Sequence, residues 1–343
     1  MKKHKWVSPV AFVLLVIVTV FVVSQQSKNF TAAGFMDYVA TVKPWGLAVA
    51  TLCMLCHIAL EAMSLLVICK ALGYGRSWRR GVLYASADIY FSAITPSATG
   101  GQPASALFMI SDGIPATVTT VVLMLNLVFY TISIFVPTVL GLVLYPEAFG
   151  LFNTPAHILM ILGIFFQMAF VAILLLLIFN QKLFMRLLDF FLLIAQKLHL
   201  VKSAEKRREK LMEMEKDYRA SAGVIHRHKR ALAMSMLFNA LQRICIVMVP
   251  AIIYVASGYP ARNMGRIFAI QSWVIMGSNS VPLPGAVGVA DYLFLDGYGA
   301  MIDDPVNMEL LSRTISFYSC VLICAVVLLI AFVWKRRQGS DVE

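Results

Sequence analysis

Six ionisable side chains stand inside stretches of chain that are otherwise apolar: His57, Glu61, Asp88, Arg243, Asp291 and Arg313. In such surroundings a charge is expensive unless it is paired or functional. An arginine guanidinium, planar and always charged, can grip a phosphate or carboxylate through two parallel hydrogen bonds. Two readings of Asp88, Arg243, Asp291 and Arg313 therefore stand side by side: either arginine holds a phosphate, or Asp–Arg pairs fix the backbone around them. His57 and Glu61 are four residues apart and share one helix face. They face the same interior, or Glu61 pairs with Arg243 or Arg313, and a proton-coupling role is open to them.

These charges flank two clusters of helix breakers. The first is Thr95-Pro96-Ser97-Ala98-Thr99-Gly100-Gly101-Gln102-Pro103; the second contains Pro282, Pro284, Gly285 and Gly288 and follows a short apolar arm carrying Gln271. Proline lacks a backbone donor and glycine loses the most entropy in a helix, so neither cluster is the interior of a regular span. Broken backbone at membrane depth must be buried in protein or line a wet cavity. The tips expose backbone N–H and C=O groups, and Thr95, Ser97, Thr99 and Gln102 add side-chain donors. Together they suit a phosphate, while tight helix packing uses the same small residues.

The elements that position these groups follow from composition. The chain has 343 residues, is 60% hydrophobic and only 14% charged, with a mean hydropathy of +0.79. Long apolar runs recur along its whole length, which predicts an all-α polytopic membrane protein. Full spans are expected at about residues 7–24, 45–70, 116–144, 157–180, 231–256 and 308–334, six in all. The net charge of +11 does not indicate nucleic acid, because the basic residues adjoin apolar spans as positive-inside topology requires. Residues 181–230, with thirteen Lys or Arg against six Asp or Glu, read as a cytoplasmic basic region joining two halves of a single domain.

Topology follows by counting. The first span is expected to remain uncleaved, with both termini cytoplasmic. The basic loop at 70–80 puts the second span's end inside, and the loop at 145–156, without Lys or Arg, reads as outside. The segment around the first cluster then enters and leaves from the cytoplasmic side, and the segment around the second from the outer side, with Arg262 and Arg266 outside. Two inverted re-entrant helical hairpins result, an arrangement found at transport sites.

Several chemistries are not supported. The six cysteines lie in apolar helical stretches and imply no disulfide framework. Cys53-Met54-Leu55-Cys56-His57 matches the haem-attachment spacing but lies inside a span, without a second axial ligand nearby. His226 and His228 read as a solvated basic turn rather than a metal pair. No P-loop, nucleophile elbow or metal-spaced His/Glu cluster is present, so no cofactor, metal or ATP-driven step is expected.

Both clusters resemble the signatures of the membrane domain of the lysylphosphatidylglycerol synthase/flippase family. The first family pattern, Thr-Pro-Ser followed by Gly-Gly-x-Pro-Ala, stands here as Thr95-Pro96-Ser97-Ala98-Thr99-Gly100-Gly101-Gln102-Pro103-Ala104. The second, Pro-x-Pro-Gly-Gly-x-Gly-x-x-Glu with an arginine in the last span, stands as 282–291 with Arg313. Ala286 replaces the second glycine and Asp291 the glutamate. The resemblance implies a flippase- or scramblase-like lipid translocase of a bacterial-type plasma membrane. Its substrate would be an anionic or aminoacylated phospholipid such as lysylphosphatidylglycerol, and its broader setting resistance to cationic peptides. It also implies a soluble transferase domain, expected to be absent here, so that lysyl transfer would need a separate soluble lipid-modifying enzyme. A component of lysyl-lipid synthesis, a scaffold for such a synthase and a polyprenyl-phosphate glycolipid transporter are the alternatives. The headgroup site implied comprises Asp88, Thr95, Pro96, Ser97, Gly100, Gly101, Gln102, Arg243, Gln271, Pro282, Pro284, Gly285, Gly288, Asp291 and Arg313.

Overall fold

The computed structural model describes residues 32–95, 98–179, 183, 186, 228–279, 286, 288–303 and 305–340. The expected first span at 7–24, nearly all of the basic region at 181–230, and the tip residues Pro96, Ser97, Pro282, Pro284 and Gly285 lie outside the described residues.

Every regular element among the described residues is helical: α1 (Ala32–Thr41), α2 (Pro44–Ala71), α3 (Trp78–Ile94), α4 (Gly101–Ser111), α5 (Ala116–Ser133), α6 (Phe135–Leu144), α7 (Thr154–Phe179), α8 (Lys229–Ala256), α9 (Met264–Ser278), α10 (Val289–Tyr298), α11 (Pro305–Arg313) and α12 (Cys320–Ser340). A π-helical turn, Thr314–Ser319, joins α11 to α12. Five stretches are long and apolar enough to cross a membrane: Pro44–Ala71, Ala116–Leu144, Thr154–Leu176, Lys229–Ala256 and Pro305–Val333. They coincide with five of the spans expected from the sequence. The chain is a multi-pass, all-α membrane protein.

The centre of the molecule is the pair α2–α8. Each helix has 28 residues. They run antiparallel: Lys43 N–H donates to Ala256 O, His57 meets Gln242, and Ser64 meets Ser235. Moving 14 and then 7 residues up α2 moves the contact 14 and then 7 residues down α8. This constant heptad step keeps one seam in register along both helices. Close approach at one end requires Gly46, whose Cβ would collide with that of Ala256. Small residues at a helix crossing are the usual means of bringing backbones together in lipid.

The two helices also end alike. Leu72-Gly73-Tyr74 closes α2, with φ of +86° at Gly73 and Tyr74 N–H bonded to Cys69 O at 2.9 Å. In the same way Ser257-Gly258-Tyr259, 185 residues later, closes α8, with φ of +94° and Tyr259 N–H bonded to Tyr254 O at 3.3 Å. A left-handed glycine after the last turn satisfies the helix's terminal carbonyls. The two helices are thus closed by the same local geometry. The same displacement carries His57 onto Gln242, and each is the fourteenth residue of its helix.

Three further contacts of each hairpin match. α3 packs on α2 as α9 packs on α8; α3 folds back into α4 as α9 folds back into α10; α3 lies against α12 as α9 lies against α6. Since α2 and α8 are antiparallel, hairpin α3–α4 starts from one end of the molecule and hairpin α9–α10 from the other. Inverted hairpins are therefore a property of the fold. At the base of the first, Asp112 takes Arg80 Nη1 at 2.9 Å and Tyr84 Oη at 2.6 Å, tying the start of α3 to the end of α4. At the base of the second, Arg266 pairs with Glu147 at 3.0 Å, so Arg266 lies at the same end as the loop without Lys or Arg.

Candidate functional site

The first hairpin brings its polar groups to the middle of the α2–α8 pair. α2 presents His57, Glu61 and Ser64 at i, i+4 and i+7, and α8 presents Ser235, Asn239 and Gln242 at the same spacing. This is one face of each helix. α5 adds Asn126. Asn126 Nδ2 donates to Glu61 Oε1 at 2.7 Å, and its Oδ1 accepts from Ser64 Oγ at 2.5 Å and from Asn239 Nδ2 at 3.2 Å. Asn239 also donates to Ser64 Oγ at 2.7 Å, and Ser64 and Ser235 hydroxyls lie 2.6 Å apart. Interhelical hydrogen bonds of this kind contribute about 0.6–2 kcal/mol each in membranes. His57 Nδ1 lies 3.3 Å from Gln242 O, and Gln242 Nε2 lies 3.5 Å from His57 Nε2. A carbonyl only accepts, so the Nδ1–H tautomer fits both contacts.

Asp88 enters this cluster from α3. Gln102 Nε2, at the start of α4, donates to Asp88 Oδ2 at 2.9 Å, and Ser92 Oγ donates to Oδ1 at 3.2 Å. Gly101 makes this approach possible: a Cβ there would strike Asp88 and Ser92. Asp88 is near enough to Glu61 for the two carboxylates to act on each other.

Arg243 completes the group. It is 6% exposed, and its guanidinium carbon sits 3.8 Å from the centre of the Tyr130 ring. It lies close enough to Glu61 and His57 to act on both electrostatically. The ion pairs among the described residues are Arg80–Asp112, Arg266–Glu147 and those of Arg313 with Asp291 and Glu309; Arg243 belongs to none. Its Nε has no hydrogen-bond partner among the described residues. Of nine buried side-chain N or O atoms in that condition, four are in this cluster: Glu61 Oε2, Asn239 Oδ1, Gln242 Oε1 and Arg243 Nε. Native interiors leave few such atoms, and their concentration singles out this cluster as the candidate site.

The second hairpin is built differently. Arg313 pairs with Asp291 at 2.5 Å and with Glu309 at 3.1 Å. Asp291 Oδ2 also accepts from Gly288 N–H at 2.8 Å, capping α10. Gln271 accepts from Tyr298 Oη at 3.0 Å, across α9 and α10. Here the arginine is paired with two carboxylates, Asp291 on α10 and Glu309 on its own helix.

The sequence placed Arg243 and Arg313 on an equal footing, and the structure separates them. Glu61, expected beside Arg243 or Arg313, takes its hydrogen bond from Asn126, because α5 projects that amide between the carboxylate and α8. The first tip is more self-contained than its composition suggested. Thr95 Oγ1 donates to Phe91 O at 2.6 Å and accepts from Gly100 N–H at 2.9 Å, and Gln102 serves Asp88. Asn126, Asn239, Ser64, Ser235, Tyr130 and Glu309 were not foreseen. Isolated asparagines in apolar spans were the available signal for the first two. Among the described residues no group of three or more His, Cys, Asp or Glu could hold a metal ion.

Comparison with known proteins adds one finding. The model of the family described as lysylphosphatidylglycerol synthase TM region matches residues 8–324. No curated protein and no solved structure matches the chain.

Proposed function

The chain belongs to the lysylphosphatidylglycerol synthase transmembrane family, and from that premise we propose that it moves a phospholipid between leaflets of the cell membrane. The headgroup phosphate binds at Arg243 during transfer. The observation that carries this reading is Arg243 itself: a buried, always-charged fork with no ion-pair partner among the described residues and no hydrogen-bond partner at Nε. A lone guanidinium at membrane depth is costly. A phosphate oxygen supplies the acceptor that Arg243 Nε lacks. Tyr130 packs under the guanidinium, its ring centre 3.8 Å from the guanidinium carbon. The acyl chains remain in lipid alongside the bundle, so only the headgroup needs a polar path. Anionic phospholipids, including aminoacylated phosphatidylglycerol, are the substrate class. The hairpin α3–α4 opens toward the cytoplasm in this reading and α9–α10 toward the outside, as the positive-inside rule orients them.

The test uses the purified chain in vesicles containing headgroup-labelled phosphatidylglycerol and a membrane-impermeant quencher. Labelled lipid of the inner leaflet becomes quenchable with the wild-type chain, and Arg243→Ala slows this at least ten-fold, whereas Arg266→Ala does not. Equal rates for Arg243→Ala and wild type overturn the assignment. Formation of a new lysyl-lipid in cells expressing this chain alone, without altered leaflet distribution, favours a role in synthesis instead.

A further inference from the structure

Resting on that reading, we infer that the cluster around Arg243 binds one exchangeable monovalent cation, a proton or a sodium ion, at Glu61, and that cation and headgroup phosphate bind there together.

Two independent observations lead to it. The first is charge. Facing Glu61 are His57 from its own helix, Asp88 from α3, Arg243 and the Gln242 amide from α8, and Asn126 from α5 with Tyr130 one turn beyond; Gln102 reaches in from α4 through Asp88. Two carboxylates stand against one guanidinium, leaving one negative charge uncompensated at membrane depth. His57 is committed on both ring nitrogens to Gln242. The second is the type of atom left without a partner. Glu61 is 3% exposed, Gln242 1% and Asn239 fully buried, and the orphan atoms they contribute are all oxygens that only accept. A phosphate, itself an acceptor, cannot satisfy them. A water would satisfy hydrogen bonds but not the charge. A proton on Glu61 or a sodium ion at its free oxygen supplies the missing charge, and hard oxygen ligands favour such a cation over a transition metal.

The second hairpin is the internal control. Asp291, Glu309 and Arg313 carry the same formal charge, but no buried carboxylate oxygen there is without a partner; Arg313 engages Asp291 Oδ1 and Glu309 Oε1, and the Gly288 amide engages Asp291 Oδ2. Once a phosphate occupies Arg243, Glu61 and Asp88 lose their counter-charge, and the cation is held more tightly. By reciprocity the cation must strengthen phosphate binding by the same factor.

In the same vesicles, a pH gradient and a sodium gradient are imposed separately. One of them accelerates wild-type lipid transfer several-fold and so identifies the cation. Whatever rate Glu61→Gln retains is the same with and without that gradient. A wild-type rate indifferent to both gradients, or a Glu61→Gln rate that still responds, overturns the inference while leaving lipid transfer standing. If no lipid moves under any condition, the transfer reading fails and the cation site is read from the detergent-solubilised protein instead. A ligand of the native state raises Tm. Wild-type Tm then rises when sodium replaces choline at constant ionic strength, or as pH falls from about 8 to about 6, and Glu61→Gln is insensitive to the effective cation. Should Glu61→Gln not fold, Gln242→Leu, which deletes one of the three oxygens, moves the midpoint of the wild-type response several-fold. Flat wild-type Tm in both series, or an unmoved midpoint, overturns the site.

Discussion

The guanidinium carbon of Arg243 lies 3.8 Å above the ring of Tyr130, and this stacking takes the place of an ion pair. A desolvated cation–π contact contributes about 2 kcal/mol. Tyr130→Phe keeps the ring face and is expected to leave stability and lipid transfer close to wild type. Tyr130→Leu removes it, lowers stability by about 1–2 kcal/mol and weakens transfer, because the guanidinium loses its orientation. Arg243→Lys keeps the charge but not the planar fork, so it transfers lipid more slowly than wild type yet faster than Arg243→Ala. Thermal unfolding in detergent and the vesicle assay measure the two effects separately.

Gly101 governs how closely α4 lies on α3. A methyl group there meets the carboxylate and backbone oxygen of Asp88 and the hydroxyl of Ser92. Gly101→Ala is expected to cost about 1–3 kcal/mol, the range for overpacking, and to displace Asp88 from Gln102, with a large loss of lipid transfer. Gly150, in the loop before α7, has open space around its Cβ position, and Gly150→Ala should stay within about 0.5 kcal/mol of wild type. Equal effects at the two positions would remove the argument for a required close approach.

The parts of this architecture that were legible in the sequence are those with a large free-energy cost. Proline and glycine clusters at 95–103 and 282–288 cannot continue a helix, and charge asymmetry orients the spans around them, so the hairpins and five described spans were readable. Asp88, Glu61 and Arg243 stood out because a charge in an apolar run is costly. Ser64, Asn126, Ser235 and Asn239 did not, since small polar residues occur in membrane helices for packing alone. Which acid Arg243 or Arg313 meets depends on tertiary placement; Glu309, one turn before Arg313, was hidden in the polar start of its helix. The Gly-Tyr closures at 73–74 and 258–259 are short enough to pass as coincidence until both helices are seen to end in the same hydrogen bonds.

Ala286 stands where the family signature has glycine, in backbone that favours glycine. Its φ is +51°, and Ala98 in the opposite tip has φ of +54°; these are the only non-glycine residues with positive φ among the described residues. An L-residue there costs about 1–2 kcal/mol relative to glycine, while glycine adds about 0.4–1 kcal/mol of unfolded-state entropy. Ala286→Gly, which restores the glycine of the signature, is therefore expected to be neutral or to stabilise by up to about 1 kcal/mol. Ala286→Val, β-branched in the same conformation, is expected to destabilise. Tm measurements on the two variants, in opposite order of side-chain size and stability, check the assignment.

Arg313 is expected to matter for stability before it matters for headgroup binding. Removing one partner of a buried pair leaves the other charge unopposed and costs about 3–5 kcal/mol. Arg313→Ala leaves both Asp291 and Glu309 uncompensated, since Arg313 holds each of them. Glu309→Gln in the same chain removes one of those charges and should recover part of the loss, whereas adding Glu309→Gln to Arg243→Ala should recover nothing. A double-mutant cycle on Tm isolates this coupling. If Arg313→Ala instead keeps wild-type stability and loses lipid transfer as completely as Arg243→Ala, then Arg313 takes part in binding the headgroup, and the division of labour between the two hairpins is wrong.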